Sequence, residues 1–137
     1  MKIIKLIFTC FVYFMVFCSA DCKKKTSSKC HYLITIKNNS NQSVYLNYSE
    51  EYPDTSINCD YHYGEKINSQ EKSEISDQFD CLELRFDKFN NLQFFFIDST
   101  IFNNATCDSI KAYNLYLKRV QVNLDQVNNF GWTIAYP

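Results

Sequence analysis

The chain has 137 residues, which allows one domain, and it is 46% hydrophobic and 17% aromatic with only two Gly and two Pro. That composition excludes a disordered chain, a collagen-like repeat and a Gly/Ser linker. A formal net charge of −1 leaves no basic field to recruit nucleic acid, and seven Cys point to an oxidising compartment if export is independently indicated.

Residues 1–20 supply that indication. Lys2 and Lys5 form a short basic start, and Leu6 to Phe17 follow without a charge. A spanning helix needs roughly 20 apolar residues, so this run reads as a secretory signal rather than a membrane span. The signal is expected over 1–17, with Cys18 as the first mature residue and lipid attachment site. Two alternatives are ordinary cleavage after Ala20 (signal 1–20) and lipid on Cys22. Phe17 and Asp21 both stand where a lipoprotein signal usually places a small residue. Parity favours Cys22, because it alone leaves an even set of cysteines: Cys30, Cys59, Cys81 and Cys107. Residues 18–30 are polar and aperiodic and read as a tether; 31–137 is then a single β-rich domain.

Within that domain, Tyr32 to Lys37 and Val44 to Tyr48 alternate apolar and polar residues and are expected to be strands. The cluster Asn38-Asn39-Ser40-Asn41 between them suggests a hairpin turn, with Asn taking positive φ where Gly is missing. Residues 49–72 read as a polar excursion, and Ser73 to Ser76 as the start of a short strand. Leu82-Glu83-Leu84-Arg85-Phe86 alternates cleanly and predicts a half-buried strand, with Glu83 and Arg85 outward. Leu92 to Ile97 ends in four consecutive apolar residues, which predicts a central strand covered on both faces.

Thr106 is a candidate N-cap for a short helix to about Tyr113, and Leu115 to Val122 reads as a strand. Asn123 can cap one helical turn carrying Leu124 and Val127, Gly131 suits the left-handed position after it, and Trp132 to Tyr136 is the last strand. The fold class is therefore mainly β or α+β: a small antiparallel sheet or sandwich with two short helices in the C-terminal third.

Cys30-His31 and Cys59-x-x-His62 have the composition of a zinc site. Adjacent strand residues point apart, however, and exported cysteines favour disulfides, expected here among Cys30, Cys59, Cys81 and Cys107. The acidic residues between 50 and 87 lack calcium-loop spacing and read as a solvated face. Phosphate-binding loops, nucleophile elbows and C-x-x-C motifs are absent from the sequence. No metal and no cofactor is expected.

Tyr45, Tyr48, Tyr52, Tyr61 and Tyr63 form the candidate binding surface, since Tyr offers contact area and a hydroxyl to protein or glycan. The competing reading makes them core residues of a Trp-poor domain. Lys118 and Arg119 read as the solvent face of a strand. The function expected is a non-catalytic envelope interaction or accessory module; the alternative is a secreted Cys/His enzyme or enzyme inhibitor.

Several segments carry a family pattern: Ile36 to Ser40, Val44-Tyr45, Tyr52 to Ser56, Phe95 to Asp98, Leu117 to Arg119, Val122 to Asp125, and the closing Trp132-Thr133-Ile134-Ala135-Tyr136-Pro137. In their order and spacing the chain resembles a family of small, uncharacterised Bacteroidetes-type lipoproteins, although Gly131 stands where that family usually has Asn. The resemblance implies a lipid anchor in a bacterial envelope, at the outer membrane, with a periplasmic or secreted protein as the alternative. It also implies that Asp98-Ser99-Thr100 and Asp108-Ser109-Ile110 are O-glycosylation acceptors. It implies no activity and no functional residues.

Overall fold

A computed structural model describes residues 30–51, 53–54, 56–59, 64–76 and 81–137. The signal, Cys18, Cys22, nearly all of the tether, Tyr52, Tyr61, His62 and Tyr63 lie outside them. Among the described residues, seven strands and four helices follow in the order β1 (Leu33–Asn38), β2 (Val44–Ser49), β3 (Glu65–Ile67), β4 (Lys72–Ser76), α1 (Leu82–Phe89), β5 (Leu92–Asp98), α2 (Ser99–Asn104), α3 (Cys107–Tyr113), β6 (Lys118–Val122), α4 (Leu124–Asn129) and β7 (Thr133–Tyr136). The class is α+β, with two small sheets. One has the order β4-β1-β7 and the other β3-β2-β5-β6. Every pairing among them is antiparallel except β1 with β7.

The Phe94–Ile97 run explains the layering. Successive side chains of a strand face opposite ways. Phe94 and Phe96 enter one core cluster together with Ile34 and Ile36 of β1 and Ile134 and Tyr136 of β7, so this cluster lies between the sheets. Phe95 and Ile97 enter a second cluster with Ile57, Ile110, Ile101 and Phe102, under α2, α3 and the 56–59 segment. All four residues are at most 1% exposed, as expected of a strand covered on both faces. Phe96 stacks on Tyr136 across the first layer, and Phe95 meets Tyr116 edge-on in the second.

Two expectations fail. Leu82–Phe86 is helical, the first part of α1. Leu82 and Phe86 are spaced i, i+4, so both face the core, and Leu84 is left 57% exposed. Leu, Glu, Arg and Lys are good helix formers, and Glu83 in the first turn and Lys88 in the last match the helix dipole. Apolar residues at i, i+2 and i+4 satisfy a strand pattern and half satisfy a helical one; the wider window settles in favour of the helix. The short helix α2 and the strand β3, which lies inside the expected polar excursion 49–72 and pairs with β2, are further additions to the expected elements. The Asp98 side chain caps α2, accepting from the backbone N–H of Thr100 and Ile101.

The second failure is the β1–β2 hairpin. β1 pairs with β4 and β7, whereas β2 pairs with β3 and β5, so the two strands belong to different sheets. The Asn cluster makes a corner by side-chain bonding rather than by positive φ. Asn38 is fully buried, donates to the carbonyls of Gln42, Ile67 and Asn68, and accepts from Ser40. Positive φ falls instead on Asn90 and Asn114, which end α1 and α3.

The two late helices form as the sequence suggests, whereas the strand expected from Leu115 begins only at Lys118 and the one expected from Trp132 only at Thr133. Thr106 caps α3, and Asn123 and Gln126 make a reciprocal capping box at α4. Gly131 has φ +60.

Candidate functional site

Two disulfides set the frame. Cys30 is bonded to Cys81 and Cys59 to Cys107, with Cα–Cα separations of 5.2 and 5.9 Å. The first ties the start of the described chain to the N-cap of α1. The second ties the 56–59 segment to the start of α3. These pairings consume both cysteines of the Cys30-His31 and Cys59-x-x-His62 constellation and give each a different partner.

His31 stands next to the first bridge. Its Nδ1 lies 2.6 Å from Glu83 Oε1, and its backbone N–H donates to both Glu83 carboxylate oxygens at 3.0 and 3.2 Å. Its carbonyl accepts from Leu82 N–H, and its ring stacks on Trp132. Burial pushes the Glu83 carboxyl up, but the His31 side-chain and backbone hydrogen bonds together outweigh it and hold the group below its usual 4.5. The Cys30 and Cys81 sulfurs and a Glu83 oxygen lie within 4.8 Å of one another. Sulfurs joined to each other offer no thiolate to a metal, so this arrangement works as a clasp on the segment that leads into β1.

The tyrosines do not form one surface among the described residues. Tyr45 and Tyr48 project from opposite faces of β2. Tyr45 stacks on Phe102 in the second cluster, with ring centroids 3.8 Å apart. Tyr48 packs against the first cluster, beside Phe94. Both therefore contribute to packing. Tyr48 also lines two cavities of about 370 Å³ each, one with Glu65 and Glu74 and the other with Glu50, Glu51 and Arg85. Arg85 pairs with Glu50 there.

A larger concavity of about 650 Å³ lies where the two sheets approach, lined by Lys118, Arg119, Val120 and Gln121 of β6, by Phe130, and by Thr133, Ile134 and Ala135 of β7. β6 and β7 are each the edge strand of their own sheet. Phe130, just past α4, is 55% exposed at its wall. Lys118 and Arg119 are exposed, as their pattern suggests, yet they line a groove rather than a featureless face. No local signal marks this groove, because which strands are edges depends on pairings between distant segments.

Glu83 is a partner of His31 that no short-range pattern marks, since 52 residues separate the two. Asp98 and Ser109, both within the triplets expected to accept glycans, are engaged in helix caps: Asp98 caps α2, and Ser109 N–H donates to the Thr106 hydroxyl. Among the described residues no helix is long and apolar enough to cross a membrane. No family model, curated protein or solved structure matches the chain.

Proposed function

We propose that the chain is an exported accessory protein of a bacterial envelope, held at the membrane by lipid on Cys18 and acting without catalysis by binding another protein. The observation that carries this reading is the pairing of Cys30 with Cys81 and Cys59 with Cys107, since paired cysteines of this kind persist in oxidising compartments. It agrees with a signal over 1–17 and with the resemblance to small Bacteroidetes-type lipoproteins. The rival reading, a secreted Cys/His enzyme or inhibitor, needs a thiolate beside an imidazole. Cys30 is bridged next to His31, and Cys59 is bridged to Cys107.

Metabolic labelling with a fatty acid tests the anchor, using wild type, Cys18→Ala and Cys22→Ala followed by cell fractionation. Label in the envelope fraction that disappears only with Cys18→Ala is the expected result. Loss only with Cys22→Ala moves the lipid to that residue. A wild-type chain that carries no label contradicts the anchor.

A further inference from the structure

The groove between β6 and β7 is lined by consecutive residues of both strands. Four successive residues of β6 and three of β7 line it. Successive strand residues face opposite ways, so a cavity that touches all of them lies along the strand edges and not over one face. Among the described residues β6 pairs with β5 and β7 with β1, each on one side alone, which leaves the outer side of each strand toward this space.

We propose that the groove receives an extended, acidic segment of a partner protein, which adds as a strand against β6 or β7. The inference rests on the protein-binding reading above and names the site and the partner's chemistry. Backbone groups at a sheet edge recognise another polypeptide backbone, whereas alternate side chains provide the selection. Lys118 and Arg119 make the β6 side basic, and among the described residues no carboxylate lines the groove. Phe130 offers an exposed aromatic wall for an apolar residue of the incoming strand.

The same charges argue against other occupants. A second copy adding through β6 would bring Lys118 and Arg119 into a shared interface with their equivalents, and lysine on an edge opposes such pairing. The chain's own tether carries Lys23, Lys24 and Lys25 and is repelled likewise.

Phage display of random twelve-residue peptides against the mature chain in detergent micelles tests the proposal. Selected peptides are expected to be rich in Asp or Glu alternating with β-branched or aromatic residues. Their affinity should fall tenfold or more with Lys118→Glu/Arg119→Glu, exposed positions whose change leaves the core intact. Backbone N-methylation at alternate peptide residues should abolish binding, and a photo-crosslinker should label residues 118–121 or 133–135.

Peptides without acidic enrichment, binding indifferent to the double substitution, or crosslinks elsewhere would overturn the groove. Crosslinks elsewhere would still leave the protein-binding reading intact, and the fatty-acid labelling result is independent of both. A concentration-dependent dimer that crosslinks through residues 118–121 would assign the groove to a second copy and also overturn the proposal.

Discussion

The imidazole of His31 lies flat on the indole of Trp132, with ring centroids 4.0 Å apart and planes inclined by 18°. Trp132 is held by its backbone N–H to the Val127 carbonyl and by Nε1–H to Asn128 Oδ1. Its φ of 57° is unusual for a bulky residue and is fixed by these contacts. Because His31 also bonds Glu83, the single Trp of the chain reports on the clasp at the domain's entry.

Acid should weaken that clasp. The Glu83 carboxyl has a lower pKa folded than unfolded, so its stabilising contribution is complete above about pH 4.5 and is lost as pH falls through the folded value. Urea unfolding followed by Trp132 fluorescence at pH 7 and at successive values below 4.5 should show this loss. Glu83→Gln should lower stability at pH 7 and weaken the acid dependence. An unchanged acid dependence in the variant would mean that Glu83 is not the group responsible.

Removing either disulfide should be costly. The bridges close segments with sequence separations of 51 and 48, for which chain entropy gives about 4 kcal/mol each. Cys30→Ser/Cys81→Ser and Cys59→Ser/Cys107→Ser should each reduce unfolding free energy by roughly 2–5 kcal/mol in denaturant titrations. Only the first pair should also alter Trp132 emission in the folded protein, because its bridge adjoins His31.

The two glycines separate backbone strain from crowding. Gly131 has φ +60 and open space where a Cβ would stand, so Gly131→Ala should cost about 1 kcal/mol from the left-handed backbone alone. Gly64 has φ +96, and a Cβ there would strike the Phe102 ring. Phe102 is itself stacked on Tyr45, so Gly64→Ala should cost more, about 2–4 kcal/mol. Thermal unfolding of both variants checks the order.

Replacing two adjacent aromatic residues of β5 tests the layering. Phe95→Ala and Phe96→Ala should each cost about 3–5 kcal/mol, since both side chains are fully buried. Hydrogen exchange should distinguish them: Phe95→Ala should loosen α3 and the 56–59 segment, whereas Phe96→Ala should loosen β1 and β7.

What a sequence reveals in advance follows the range of the interaction concerned. The caps Thr106 and Asn123 and the strand Leu92–Ile97 depend on neighbours within a few residues, and all are legible. Leu82–Phe86 misleads because five residues fit two periods at once. Val44–Tyr48 is extended as its alternation predicts, but its partner β5 is contributed by residues 92–98, which no turn signal announces. The Asn38 corner misleads for the same reason, since its bonds reach Ile67 and Asn68. Cysteine parity points to a paired set of four without giving the connectivity, and the groove requires two edge strands to meet.

Intact-mass and peptide mapping of the mature chain, alkylated before reduction, tests most directly whether it is a lipid-anchored module held by two bridges. The expected result is an N-terminal peptide beginning at Cys18 and carrying a diacylglyceryl mass, Cys30–Cys81 and Cys59–Cys107 as linked peptides, and alkylation confined to Cys22. An N-terminus at Asp21 without lipid, together with alkylated Cys30, Cys59, Cys81 or Cys107, would contradict it.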